Sequence, residues 1–288
     1  MPIKFPDQVR GALWMMGSMA SWASMAAVAR YLSDDIHTFE IVFFRSLFGA
    51  LFLIPWLLKE GVSGLKTNRV GMHLVRGFTG LAVIYLLFAA IARAPLGEVA
   101  AIMSTRPMVA SLAAILILKE VAHGRRWTAT IIGFVGALLI IRPGFGVVSE
   151  GAIYTFMAVI FMAALTIIMK SLARTEKPDT VVVWQMIVFT PCALIPALFV
   201  WQTPDVWQLM LLISTGLFGT LTQRCLTRAY AAADATVIMP FDFTRLIFSA
   251  LLGLILFQEF PNIWVWIGGL VILIGVLWLA RLEGKAAQ

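Results

Sequence analysis

Long apolar runs, separated by short charged or turn-rich breaks, cover the chain from end to end. Ten runs can be distinguished, near residues 11–32, 39–58, 71–92, 95–118, 126–141, 151–173, 180–201, 207–230, 235–257 and 264–281. A helix crosses ~30 Å of hydrocarbon with about 20 residues, whereas a tilted barrel strand needs only about 9–11. The length of the runs therefore predicts an all-α membrane protein with ten transmembrane helices.

The composition supports the same fold class. The chain is 61% apolar and only 13% charged, with a mean hydropathy of +0.92, whereas soluble domains are about 45–50% apolar and about 25% charged. Ten spans of about 20 residues use roughly 200 of the 288 positions, so no sizeable soluble domain fits between them. A soluble enzyme, a disordered chain and a secreted disulfide scaffold are all poor fits.

Lysine and arginine are distributed unequally between alternate loops. Fourteen lie in the two terminal segments and the loops on their side, and only Arg30, Arg93 and Arg142 lie in the opposite loops. Cytoplasmic loops carry the excess of positive charge, so we expect a multi-pass protein of the bacterial inner membrane with both termini cytoplasmic. The first apolar run continues past Ser18 to Val28, which favours a retained helix over a signal peptide.

The residue types that would indicate other partners or cofactors are scarce. The net charge is +7, but no run of Lys and Arg exceeds two residues, so nucleic acid is not expected. Cys192 and Cys225 both lie inside apolar runs, which is typical of small apolar fillers rather than of a disulfide or metal site. The three histidines, His37, His73 and His123, lie near span ends and are not helical neighbours. We therefore expect no metal, no cofactor, no catalysis and no obligatory protein partner, only the lipid bilayer and a small-molecule substrate.

An internal repeat relates the two halves of the chain. At an offset of 139 residues, several residues fall on identical ones, namely Gly77 on Gly216, Gly80 on Gly219, Arg106 on Arg245, Glu120 on Glu259, Trp127 on Trp266 and Gly136 on Gly275. Five spans fall in residues 1–146 and five in 147–288, and an odd number per half means that the second half must enter the membrane inverted. Inverted repeats around a central cavity are the architecture of secondary transporters, whose substrate site lies near the midplane between the halves.

These features resemble the drug/metabolite transporter superfamily, in particular its ten-helix EamA-type members. The resemblance is carried by the two five-span halves, by Leu-Lys-Glu (118–120) and Phe-Gln-Glu (257–259), and by the run at 233–246. It implies the fold and a transport function, with relatives that include amino-acid exporters of the YddG type and carriers of nucleotide sugars, riboflavin or S-adenosylmethionine. The runs at 37–40 and 43–45 are similar to those of the S-adenosylmethionine carriers.

Three ionisable residues are the main candidates for a substrate site. Arg106 and Arg245 occupy matching places in spans four and nine, where both are expected near the middle of the membrane. Charges there are costly and usually functional, so the pair is expected to hold a carboxylate in a wet cavity, or else to bond helix ends as buried structural arginines. Asp242 lies three residues before Arg245 on the same helical face and has no acidic counterpart in the first half. Asp242 is expected either to pair with Arg245 or to bind a substrate ammonium.

Other residues complete the predicted site. Trp22 lies in the middle of span one, facing either lipid or the cavity, and in the latter case we expect it to line the cavity with Phe78, Tyr85 and Met162. Pro107 and Pro240 lie close to the two arginines, and a proline inside a span frees a carbonyl group and bends the helix. They are candidate hinges for alternating access, or else static kinks.

The remaining charges within the spans are expected to be structural. Arg45 could pair with Glu40, although five residues is a poor helical spacing. Arg76 and Arg224 are expected to extend towards the cytoplasmic interface. Glu98 is expected to meet water at the outer mouth.

The resulting hypothesis is a secondary transporter, not an enzyme. It would move amino acids, including aromatic and apolar ones, or similar small metabolites across the inner membrane by alternating access, with export implied by the resemblance alone. A carrier of S-adenosylmethionine, riboflavin or another organic metabolite, possibly for uptake, is the alternative. A channel would show rings of like charge or a filter sequence, and neither is present in the sequence.

Overall fold

The structure is a computed structural model that describes residues 7–60, 67–106, 149–172, 178–232 and 244–286, with isolated positions between these segments. Within these residues the chain forms nine helices and no strand. They are α1 Asp7–Leu32, α2 Thr38–Glu60, α3 Val70–Ile91, α4 Leu96–Met103, α5 Glu150–Leu172, α6 Pro178–Leu198, α7 Val206–Ala232, α8 Thr244–Phe257 and α9 Ile263–Ala286. Each falls on a predicted span, so the all-helical fold class is confirmed. The later part of span four and most of span five lie outside the described residues.

Four of the described helices are long and apolar enough to cross a membrane by length and composition. They cover Val9–Leu32 in α1, Thr38–Pro55 in α2, Val70–Ile91 in α3 and Val206–Leu226 in α7. Large apolar side chains also lie exposed on the outer faces of several helices, as at Leu51, Ile160, Ile187, Ile255 and Leu270. An exposed apolar surface of this kind is unfavourable in water and is covered by lipid in a membrane protein.

The packing of the helices follows the repeat. The corresponding helices of the two halves are α1 and α5, α2 and α6, and α3 and α7, whereas α4 and α8 are different parts of the corresponding spans four and nine. Helix α1 packs along α7 as α5 packs along α3, and α2 contacts α7 as α6 contacts α3. Each of these contacts is therefore matched by the contact that results from exchanging the halves, as a pseudo-two-fold axis requires.

Repeated glycines allow the two equivalent helix crossings. A Cβ atom on Gly77 of α3 would lie 2.5 Å from Cγ1 of Val188 in α6, and one on Gly216 of α7 would lie 2.5 Å from Cβ of Phe48 in α2. Real side chains do not approach so closely, so only glycine permits either crossing. The glycine matches in the sequence repeat thus mark the places where α3 meets α6 and α7 meets α2.

The C-terminal end of α8 is directed back towards the other half by one unusual backbone conformation. Gln258 has φ 54°, a left-handed conformation that ends the helix at Phe257. The next residue, Glu259, donates its N–H to the carbonyl of Gly253 at 3.0 Å, and its Oε2 accepts the N–H of Leu96 at 3.0 Å. Leu96 is the first residue of α4, and the first N–H groups of a helix have no partner within it, so a carboxylate of the second half caps a helix of the first.

Candidate functional site

A cavity lies between the two halves, with about 730 Å³ of empty space including its opening. Helices α1, α2, α3, α5, α7 and α8 all contribute to its wall, as do Arg106 after the end of α4 and Asp242 before the start of α8. Met19, Trp22 and Met25 of α1 lie on its wall and are the thirteenth, sixteenth and nineteenth residues of a 26-residue helix. The cavity is therefore deep within the membrane-spanning part of the fold.

The two arginines related by the repeat meet at one carboxylate in this cavity. Arg245 donates from Nη2 to Oδ1 of Asp242 at 2.6 Å, and Nη2 of Arg106 lies 3.8 Å from the same oxygen atom. The Arg245 side chain is 2% exposed and that of Asp242 is 13% exposed. The two residues are three apart at the start of α8, so their side chains share a helical face and form the pair locally. The group carries two positive charges and one negative charge.

Helix α1 forms the wall opposite this group. The guanidinium of Arg245 lies 5.3 Å from the ring centroid of Trp22, and its Nε donates to the Met19 sulfur at 3.4 Å. Trp22 is only 8% exposed, so this tryptophan faces the protein interior and not the lipid. A cation over an indole ring is stabilised by the ring quadrupole, and Trp22 is also one of the residues that line the cavity.

Of the other residues predicted to line the cavity, Met162 of α5 lies on its wall, whereas Phe78 and Tyr85 do not. The wall residues of α3 are Ile84, Leu87, Phe88 and Ile91, which form one helical face. Phe78 is not on that face and is 56% exposed on the outside of the bundle. Tyr85 packs against Phe39 with ring centroids 5.1 Å apart, with its hydroxyl 3.5 Å from the carbonyl oxygen of Ala193.

The prediction is thus corrected for Phe78 and Tyr85, because both lie on other faces of α3. Pro107 and Pro240, the candidate hinges, lie outside the described residues.

Arg45 of α2 also lies on the cavity wall, although the sequence predicted a structural role for it. Its side chain is buried, and its Nε donates to the Met25 sulfur at 3.3 Å. A Cβ on Gly219 would lie 3.3 Å from Nη2 of Arg45, so this glycine makes room for the guanidinium. The suggested partner, Glu40, instead accepts the N–H of Gln202 at 3.1 Å. The available signal was a charge inside a span, which usually marks a functional site.

A second polar cluster joins the helices around the C-terminal end of α8. Arg30 at the end of α1 donates to the carbonyls of Ile91 at 2.6 Å and Ala94 at 2.9 Å. Its Nη2 also lies 3.1 Å from Oε1 of Glu259. Glu98 accepts a hydrogen bond from Ser149 at 2.8 Å, so it has a protein partner at the mouth where the sequence placed it in contact with water. These bonds join α1, α3, α4 and the turn after α8.

The cavity carries groups that can bind a ligand. No group of three or more His, Cys, Asp or Glu side chains in that part of the chain is arranged to hold a metal ion. The cavity instead offers guanidinium donors, one paired carboxylate, an indole face and methionine side chains. Such a site can bind a ligand with an acceptor group and an apolar body.

Comparison with known proteins shows similarity to membrane transporters. Residues 9–142 and 149–281 each match the EamA-like transporter family. The chain is 30% identical to a riboflavin transporter of Vibrio cholerae, covering 97% of this chain and 96% of that protein. It is 29% identical to an S-adenosylmethionine uptake transporter of Rickettsia bellii, covering 96% and 95%, and 28% identical to a pseudopaline exporter of Pseudomonas aeruginosa, covering 94% and 96%.

The chain can also be superposed on a solved crystal structure, and the match covers 96% of this chain and 99% of the other with a TM-score of 0.65. At 15% sequence identity this similarity supports the fold alone. The narrower resemblance to amino-acid exporters of the YddG type stays a prediction. The two family matches together cover nearly the whole chain. Each match covers one helical half of the structure, and the cavity lies between these halves. The chain belongs to the EamA-like transporter family.

Proposed function

We propose that the protein is a secondary carrier that moves a small organic metabolite across the bacterial inner membrane by alternating access. The observation that carries the proposal is the meeting of the repeat-related Arg106 and Arg245 at Asp242, inside the cavity between the halves. A site on the axis that relates inverted repeats can be exposed to either side of the membrane by rocking one half against the other. Arg245 is the proposed anchor for a carboxylate or another acceptor group of the substrate.

Amino acids, aromatic and apolar ones among them, are the first candidate substrates. Their carboxylate suits the planar donor pair of an arginine, and an apolar side chain would lie against Trp22 and the flexible methionines of the wall. Asp242 could receive the ammonium group, although its Oδ1 is already 2.6 Å from Arg245. We expect several such amino acids to be accepted with modest affinity, because the methionine side chains of the wall can adapt to different side-chain shapes.

Riboflavin is the second candidate, and a separate observation favours it. Relatives that are 30% and 31% identical over nearly their full lengths are riboflavin transporters of Vibrio cholerae and Rhizobium johnstonii. A flavin ring carries carbonyl acceptors on a flat aromatic body, which the arginines and Trp22 could bind together. S-adenosylmethionine fits less well, because its sulfonium charge would enter a cavity whose arginines outnumber its carboxylates.

Counterflow in proteoliposomes tests the proposal. Purified protein is reconstituted, loaded with unlabelled phenylalanine, leucine or riboflavin, and supplied with the labelled solute outside. A carrier gives saturable uptake that is accelerated by the solute on the far side, and comparison of the two loading directions shows which direction is preferred. Arg224→Met is the matched control, because Arg224 is an exposed arginine of α7 away from the cavity wall. The absence of saturable counterflow for every solute would remove the carrier hypothesis.

A further inference from the structure

Arg45 is a buried cation that the pairing of Arg245, Arg106 and Asp242 does not include. Its side chain is 7% exposed, and within the described part of the chain its guanidinium donates to the sulfur of Met25 and not to a carboxylate. A thioether is a weak acceptor, and a guanidinium has five N–H donors. Holding an unbalanced charge at this depth is costly, and such charges usually serve a ligand or an ion pathway.

The contacts of α1 place Arg45 relative to the first anchor. Arg245 contacts Met19 and Trp22, whereas Arg45 contacts Met25. Met19, Trp22 and Met25 follow one another at intervals of three residues, so they share one side of the helix. At 1.5 Å per residue, the two contact points lie about 9 Å apart along α1, with the indole of Trp22 between them.

The charges on the wall are also unequal. Among the described residues that line the cavity, Arg45, Arg106 and Arg245 are opposed by the single carboxylate of Asp242. A buried charge that no opposite charge compensates is costly. A ligand that brings negative charge or strong acceptors would therefore be bound most tightly where the positive charge is in excess.

We infer that Arg45 is a second substrate anchor, and that among the metabolites this cavity accepts the one bound most tightly is an elongated organic anion with an acceptor group at each end. One acceptor group would bind at Arg245 and Arg106, a second would bind at Arg45, and a flat apolar body would lie on Trp22 between them. The inference rests on the proposed function, since it concerns the same cavity. It also distinguishes Arg45 from Arg76 of α3, whose guanidinium bonds to Gln185 and to the carbonyl of Val181.

The inference predicts an unusual combination of stability and binding for Arg45→Met. If Arg45 serves a ligand, the ligand-free variant should be at least as stable as the parent, because a buried charge without a carboxylate partner is removed. A structural arginine behaves differently, so Arg76→Met should lower the melting temperature while leaving ligand preference unchanged. Arg45→Lys keeps the charge but loses the planar fork, and should bind with intermediate affinity.

The test uses two acids of the same body, 1,4-phenylenediacetate with an acceptor group at each end and phenylacetate with one. Binding to the full-length protein in lipid nanodiscs is measured by calorimetry for the parent, Arg45→Met, Arg45→Lys and Arg76→Met. We expect the parent to prefer the diacid at least tenfold, and Arg45→Met to reduce that preference to less than threefold with little change for phenylacetate. A parent that shows no preference for the diacid would overturn the inference, and so would an Arg45→Met variant that keeps the preference.

Counterflow of phenylalanine, leucine, riboflavin and 1,4-phenylenediacetate, measured in proteoliposomes of the same purified protein, separates the two proposals. If counterflow is present but the diacid preference is absent, the second anchor is wrong and the carrier hypothesis stands. If counterflow is absent for all solutes, the carrier hypothesis fails. A lower melting temperature of Arg45→Met together with an unchanged diacid preference would make Arg45 a structural residue.

Discussion

Removal of the Arg245 guanidinium should affect stability and transport by two separable routes. Arg245→Met keeps an unbranched apolar side chain on α8 but leaves Asp242 without the donor that lies 2.6 Å from its Oδ1. The carboxylate is only 13% exposed, so water cannot replace the lost partner fully. Substrate binding should be lost as well, because the same guanidinium is the proposed anchor.

The size of the stability effect follows from what remains around Asp242. Breaking a buried ion pair by removing one partner costs about 3–5 kcal/mol. Arg106 remains, with its Nη2 3.8 Å from the same oxygen atom and a side chain that is 31% exposed. This second cation compensates part of the charge, so we expect the lower end, about 3 kcal/mol.

A second variant removes the stranded charge. Asp242→Asn combined with Arg245→Met should recover about 2 kcal/mol, since an amide costs less to bury than an unpaired carboxylate. Transport should not recover, because the anchor is still missing. Arg245→Lys should insert and fold but transport more slowly, since an ammonium lacks the bidentate geometry of arginine.

Melting temperature in detergent, expression level and counterflow are measured for all three variants. The control is Arg224→Met, an exposed arginine in α7, which should change stability by less than about 0.5 kcal/mol. Two results would refute the reasoning. A double variant that transports as fast as the parent would make the pair structural, and an Arg245→Met protein as stable as the parent would show that Asp242 does not depend on it.

Three further predictions concern membrane topology, helix packing and the ion pair between Arg30 and Glu259. Reporter tags at both termini should be cytoplasmic and a tag near Gly146 external, and opposite sides for the two termini would exclude the even span count. Gly216→Ala should cost about 1–3 kcal/mol in thermal unfolding, because its Cβ would lie 2.5 Å from a side chain of α2, whereas Gly71→Ala, with nothing within 4 Å, should be neutral or stabilising. Equal effects of the two would contradict the close crossing. Glu259→Gln should lower stability by about 1–2 kcal/mol, because it removes the charge that lies 3.1 Å from Nη2 of Arg30, and an unchanged melting temperature would show that this ion pair contributes little.

Much of the candidate site was predictable because the repeat and the membrane limit the choices. A charge in the middle of a span must be compensated. Because the repeat relates Arg106 to Arg245, the sequence alone predicts that both face one cavity. The pairing of Asp242 with Arg245 followed from a spacing of three residues. Arg45 was missed, because its sequence neighbours gave it only Glu40 as a partner, and the Met25 sulfur that it contacts is 20 residues away.

The helical architecture and its two-fold plan follow from the amino-acid sequence. In a bilayer every backbone N–H and C=O must be bonded within the protein, so apolar runs of this length form helices, and two similar halves are expected to pack in similar ways. Which face of each helix lines the cavity is seen only in the folded protein, where Ile84 of α3 lies on the cavity wall and Phe78 of the same helix lies on the outside of the bundle. The physical reason is that lipid and protein interior are equally apolar, so hydrophobic periodicity, which separates the inside from the outside of a soluble helix, carries little of that information here.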